Sequence, residues 1–312
     1  TSNKDSWTIG AYQAFTKKQA GILNHSDLKT IKGKTLYWVF FSLLVLASLI
    51  ALLPSLWMVM TAFKDTQEIY TQPNNFFPSD MSVSTLWHRV SSAWKDLGFG
   101  QSIVNTFLLS LAEWLFGISV CAIGGYSMSK LRPKGSKLIF MIILWVMLMP
   151  GSVRTVPLYM TFVNFPIGGI NFMNTYWPMI FIAAADCFNI MLFKNTFDGI
   201  SDSYIEAAQL DGAGYLYIFV KIIIPLSMPV IIYVSIGLLS MAWGDFFFPY
   251  LLLTDNKIQT LPVKTYMMQQ STILKMNTYM MGLIIASIPL LIVFIVFQKR
   301  IVGGVNVGGV KG

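Results

Sequence analysis

Charge is what this chain has least of. Only 12% of its 312 residues are Asp, Glu, Lys or Arg, against roughly a quarter in soluble domains. Hydrophobic residues make up 55%, and mean hydropathy is +0.61. So few charges cannot clothe a water-exposed surface, which excludes an ordinary soluble domain and leaves an integral membrane protein. Cysteine is scarce as well: Cys121 and Cys187 both lie in apolar runs, where a free thiol behaves as a small hydrophobe and neither a disulfide framework nor a thiolate metal site is signalled. The two histidines, His25 and His88, are isolated and outside those runs, so they support no metal site. No Gly-x-x-x-x-Gly-Lys-Ser/Thr string occurs, so the chain lacks its own phosphate-cradling loop. The apolar runs hold no paired Asp-Asp, His-Glu-x-x-His or Ser-Lys constellation, and an intramembrane enzyme is not indicated. Neither a 20 to 50 residue repeat nor a low-complexity tract is present.

What is present is a series of uncharged stretches, each about long enough for the 20 residues a bilayer requires. They run over 36–63, 103–128, from 138 past Pro150-Gly151, 177–193, 222–253 and 279–297. The second contains Glu113, and Pro150-Gly151 should break or kink the third. The expected architecture is one all-α polytopic domain with six transmembrane helices over 36–300, preceded by a tail (1–35) and followed by another (301–312). The first apolar run is too long for the core of a cleaved signal, so the chain is expected to insert and stay. An interfacial helix is expected around 8–15. The long loop 64–101 carries turn formers and aromatics and is expected to fold on the membrane surface.

The net charge of +8 does not point to nucleic acid, because its distribution follows the spans. With six spans, the tails and the second-to-third and fourth-to-fifth loops share one face, which carries fifteen of the 22 lysines and arginines; seven lie on the other. Excess Lys and Arg marks the cytoplasmic side, and the acid-free loop Lys130-Leu131-Arg132-Pro133-Lys134 is its clearest element. Both termini and the loop 195–221 are therefore assigned to the cytoplasm.

That loop is polar and patterned as a small helical hairpin. Ser203-Tyr204-Ile205-Glu206 fits a capping box with Ser203 as N-cap, Ala207 and Ala208 are strong helix formers of minimal bulk, and Gly212 is placed to end the helix in a left-handed conformation. A second short helix is expected over 215–221, leading to Ile222 and Pro225. Small residues would let another protein approach the backbone, with Glu206 as a charged partner; alternatively Glu206 is only a cap and the alanines only filler.

The spacing favours the first reading. Glu206-Ala207-Ala208, three residues, Gly212, nine residues, Ile222, one residue, Ile224 and Pro225 resembles the EAA signature of permease subunits of bacterial ABC importers, with Ile224 where Leu is usual. The string through Asp211-Gly212 and Pro225-Leu226-Ser227-Met228-Pro229 is similar to the carbohydrate-importing, MalG-like branch. Met149-Pro150-Gly151 with Val156-Pro157, Ala242-Trp243-Gly244-Asp245-Phe246, and the tail from Gln298 agree with that branch, so the resemblance runs from residue 36 to the C-terminus. It implies a type I importer permease fold that is not itself catalytic. Glu206, Ala207, Ala208, Asp211, Gly212, Ile222 and Pro225 would form the coupling element that docks on one of two cytoplasmic ATPase subunits. ATP and Mg would sit on those subunits and no cofactor on this chain. The other implied partners are a second homologous permease, an extracytoplasmic solute-binding protein, the carbohydrate, and membrane lipid.

Charges within a bilayer cost at least about 2.5 kcal/mol near a helix centre and so face a cavity, a partner or the interface. Asp186, Asn189, Trp243 and Asp245 are candidates to line a sugar path, with Asp186 and Asn189 three apart on one helical face. The competing reading is that they cap helix breaks, hold water or meet the second permease. Glu113 is the weakest candidate, since an interfacial or partner-facing place explains it equally well. An ATP-independent transporter or channel is the alternative function; it would call for matched helix breaks in two halves, and Pro150-Gly151 is the one break visible in the sequence.

Overall fold

The computed structural model describes residues 30–270 and 275–304; the expected helix at 8–15 and most of both tails lie outside them. The described chain is helical throughout. Helix α1 (Ile31–Ala62) begins five residues before the uncharged run, because the Thr30 hydroxyl accepts from the Gly33 N–H at 3.1 Å and Lys32 and Lys34 can extend to the interface. The loop that follows folds into α2 (Thr66–Thr71) and α3 (Val83–Leu97). Helix α4 (Gly100–Tyr126) runs on through a π-helical turn, Ser127–Leu131.

Four helical segments are long and apolar enough to span: Ile31–Ala62, Gly100–Leu131, Trp177–Asp198 and Met276–Val296, and two bent pairs bring the number to the expected six when each pair is counted as one span. The first pair, α5 (Ser136–Leu148) and α6 (Gly151–Val163), meets at Pro150 with a bend of 110°. Pro150 removes a backbone donor and restricts Met149 to an extended conformation, so the break foreseen there is a full turn of direction. Thirteen residues at 1.5 Å each give α5 about 20 Å, short of the roughly 30 Å hydrocarbon core.

The second pair overturns the expectation of a single break. Helix α10 (Tyr215–Leu226), which contains the π-helical turn Phe219–Ile223, meets α11 (Met228–Gly244) at an 82° bend. The fifth span also ends at Gly244 instead of 253: Asp245 is extended (φ −71°, ψ 117°), and a separate short helix α12 (Phe247–Leu252) follows. The fourth span is split as well, into α7 (Trp177–Ala184) and α8 (Cys187–Asp198). No proline or glycine stands at that split; Asp186 makes it by capping α8 through its side chain. After α12 come α13 (Leu261–Gln269), which was not foreseen, and α14 (Met276–Gly304).

Helix α4 is the hub, packed on α7, α8 and α11. Its inward stripe is mostly small or polar: Ser102, Thr106, Ser110, Glu113, Gly117, Cys121 and Gly125 are all buried. Small residues at such spacing let helices approach within the membrane. A Cβ on Gly125 would lie 2.7 Å from the Phe193 Cβ and 2.8 Å from the Lys194 backbone N, and one on Gly117 would lie 2.8 Å from Leu238. At one end of α4 the core is Cys121, Tyr126, Phe193, Phe197, Ile218 and Ile223; near the other end Leu97, Phe99, Leu261 and Met281 form a second cluster. The end of α1 packs into this second cluster through Ala62 and Met58, whereas its earlier apolar side chains are exposed, Leu44 at 65% and Trp38 at 60%, as suits a surface meant for lipid or another apolar chain.

Candidate functional site

Two features concentrate polar chemistry. The first is the hairpin of α9 (Asp202–Leu210) and α10. Its helix starts two residues earlier than the capping box implied: Ser201, not Ser203, is the N-cap, and its Oγ accepts from the Ser203 N–H at 3.3 Å. Glu206 is thus one turn into the helix, exposed, and free of any capping duty. The C-terminal expectation is met in detail. Gly212 has φ +81°, its N–H donates to Gln209 O at 3.0 Å, and the Ala213 N–H donates to Ala208 O at 2.9 Å, which is the Schellman pattern that favours glycine.

The helix has two distinct faces. Ile205, Ala208 and Ala213 pack on the cluster of Phe193, Phe197, Ile218 and Ile223, whereas Glu206, Ala207 and Asp211 face outward with Leu210 90% exposed. The sequence showed no reason to expect what ties this hairpin down. The Lys130 Nζ, on the π-helical turn ending α4, donates to Ile200 O at 2.6 Å and to Asp202 Oδ1 at 2.5 Å. That ammonium holds the Asp202 carboxyl below the usual carboxylate range. Ser129 Oγ donates to Asp198 Oδ1 at 2.7 Å, Lys194 pairs with Asp198 Oδ2 at 2.6 Å, and the Tyr126 hydroxyl donates to Tyr215 O at 3.2 Å. The basic loop that indicated orientation therefore also supplies the anchor. Beyond the turn, Ile222 is half-buried and Pro225 exposed, one residue before the 82° bend whose corner, Ser227, is buried. The hairpin therefore packs on α4 and α8 on one side and leads into α11 on the other.

The second feature is a half-open cavity of about 380 Å³ lined by α4, α7, α8 and α11. It gathers residues scattered over more than 130 positions: Glu113, Asp186, Asn189, Ser240 and Asp245 all line it. Asp186 precedes α8 instead of sharing its face with Asn189; its Oδ1 accepts from the Asn189 N–H at 2.7 Å, and both side chains still reach the same space. Asp245 Oδ1 accepts from the Phe247 N–H at 3.0 Å. Capping and cavity lining are therefore the same residues' two roles.

Trp243 is a correction. Its indole N–H donates to Ala286 O on α14 at 3.1 Å and its ring packs with the Leu97 and Met281 cluster, so it is not part of the lining. Glu113 is the reverse: ranked last in the sequence, it is buried and faces the cavity. The signal that could have found it is the i, i+3/i+4 stripe of Ser110, Glu113 and Gly117 on α4, which marks a polar face turned inward. Among the described residues, no three carboxylate, histidine or cysteine side chains stand close enough to hold a metal.

Comparison with known proteins agrees with this architecture. The chain is 28% identical over 242 residues to the melibiose/raffinose/stachyose import permease protein MelC of Bacillus subtilis (strain 168), covering 76% of this chain and 83% of that one. It is 27% identical over 273 residues to the diacetylchitobiose uptake system permease protein NgcG of Streptomyces coelicolor, covering 86% of each. In fold it is similar to a chain in the crystal structure of a bacterial ABC transporter involved in the import of the acidic polysaccharide alginate, with a TM-score of 0.73, 23% identity, and coverage of 86% of this chain and 98% of that one. The profile of the binding-protein-dependent transport system inner membrane component family matches residues 117–307, more than half of the chain, and it is to this family of multi-pass membrane transport subunits that the chain belongs.

Proposed function

We propose that this chain is the permease subunit of an ATP-driven importer for a carbohydrate, driven through the α9–α10 hairpin by an ATPase that is a separate chain. The observation that carries the reading is the hairpin's division of labour. Its inner face is locked to α4 and α8, while Glu206, Ala207 and Asp211 are presented to the outside at the end of the bundle. An exposed helix face that pairs a small residue with carboxylates is a docking knob, and Glu206 is the group to meet an arginine or lysine of the partner. Gly212 sets the turn, and Ile222 and Pro225 carry the motion into α11 across the bend. The missing phosphate-binding loop puts ATP and Mg on the partner pair. Both termini and the hairpin lie on the cytoplasmic side by the distribution of Lys and Arg.

Carbohydrate as cargo is supported by the sugar permeases among the similar proteins and by a cavity whose carboxylates and amide suit hydroxyl donors. A second, homologous permease completes the path, and a binding protein on the outer side delivers the sugar. The chain is to be reconstituted in proteoliposomes with its second permease, ATPase and binding protein. Glu206→Arg should abolish the stimulation of ATP hydrolysis by loaded binding protein and abolish uptake; unchanged uptake would reject the hairpin as the coupling element.

A further inference from the structure

The cavity has a sign. Its lining includes three carboxylates, Glu113, Asp186 and Asp245, together with the Asn189 amide and the Ser240 hydroxyl, and no lysine or arginine. Asp186 and Asp245 each accept a backbone N–H. Glu113 has no such partner: the residue is only 8% exposed, lines the cavity, and no hydrogen bond or ion pair to it exists among the described residues. The Glu113 carboxyl group opens onto the cavity, where a donor carried by a visiting molecule can reach it. Arg154, whose charge reaches Cys187, is exposed on α6 and does not enter the lining. At about 380 Å³ the space is within the range of small-ligand pockets.

We infer that this cavity is a charge filter, which admits solutes rich in hydroxyl or amino donors and turns away those that carry carboxylate or sulfate groups. The carboxyl oxygens that line the cavity can each accept from a hydroxyl or ammonium of a solute. An anionic cargo would bring like charges together in a medium of low dielectric constant, where their repulsion is strong. The inference rests on the permease reading for what moves through the cavity, yet its sign is measurable without transport.

The test uses the assembled complex in proteoliposomes, with Cys121→Ala and Cys187→Ala in this chain and Ser240→Cys as the reporter; Met241→Cys, also in the lining, serves if the first variant does not assemble. Modification rates with a cationic and an anionic methanethiosulfonate are each divided by the rate on a small free thiol. One-signed clefts alter local ion concentrations by tenfold or more, so the cationic reagent should be favoured about tenfold, and adding Glu113→Gln with Asp245→Asn, which leaves Asp186 in place, should bring the ratio down toward one. A ratio near one in the parent, or one unmoved by the two neutralising changes, would overturn the filter. ATP-driven uptake followed in parallel separates the two ideas: a retained ratio without any ATP-driven uptake condemns the permease reading and leaves the filter standing.

Discussion

Glu206 and Glu113 are the same side chain in opposite circumstances. Glu206 stands in water on α9, so its charge costs nothing and its worth depends on what touches it from outside. Glu113 is buried at mid-length in α4 without a hydrogen-bonding partner among the described residues, so its worth depends on what enters from within. On the function proposed above, the contrast separates two tasks, receiving force at one end and receiving cargo in the middle. Phe193 and its neighbours join them, since the cluster under α9 also includes Val234 and Leu238 of α11, and Leu238 borders the cavity.

The largest expected effect comes from breaking that joint. Gly125→Val would drive a β-branched side chain into Phe193 and the Lys194 backbone, at about 3 kcal/mol for overpacking; thermal unfolding of the purified complex should show its loss, and Gly125→Ala an intermediate defect. Next is the outer carboxylate. Glu206→Arg should remove coupling by tenfold or more and leave the unfolding temperature unchanged, because nothing in the chain packs on that carboxylate. The inner carboxylate should behave in the reverse sense: Glu113→Gln should raise the unfolding temperature by a few degrees, by removing an unpaired buried acid, and should alter cavity selectivity. Lys130→Ala should loosen the hairpin, seen as faster proteolysis between α9 and α10, with assembly retained. The smallest effect is in pH. The folded pKa of Asp202 is lowered by Lys130, so this tie contributes fully above the ordinary carboxylate value near 4 and fades only as pH falls through the lower folded value; hairpin proteolysis should be flat from pH 5 to 8 and rise below about 4.

Much of this contrast was legible in the residues, and the parts that were not share a cause. Gly212 and Pro150 act through their own backbones, so their turn and break could be read directly. The N-cap was misplaced because Ser201 and Ser203 are both competent, and the choice between them is set by the Lys130 tie to Ile200 O and Asp202, a contact about 70 residues away in sequence. The split before α8 has neither Pro nor Gly; it exists because Asp186 both caps the helix and reaches the cavity. Trp243 looked like a sugar platform by type alone, whereas its indole hydrogen bond to α14 decides its direction. Glu113 was undervalued because its apolar neighbours in sequence are not its neighbours in space.

The most direct trial of the account is a cross-link. Ala207→Cys, in the complex reconstituted with its partners and lacking Cys121 and Cys187, should form a short cross-link to the ATPase subunit whose yield changes between nucleotide-free and ATP-bound states. Equal labelling of that cysteine by a soluble maleimide with and without the ATPase, and no cross-linked product in either state, would contradict it.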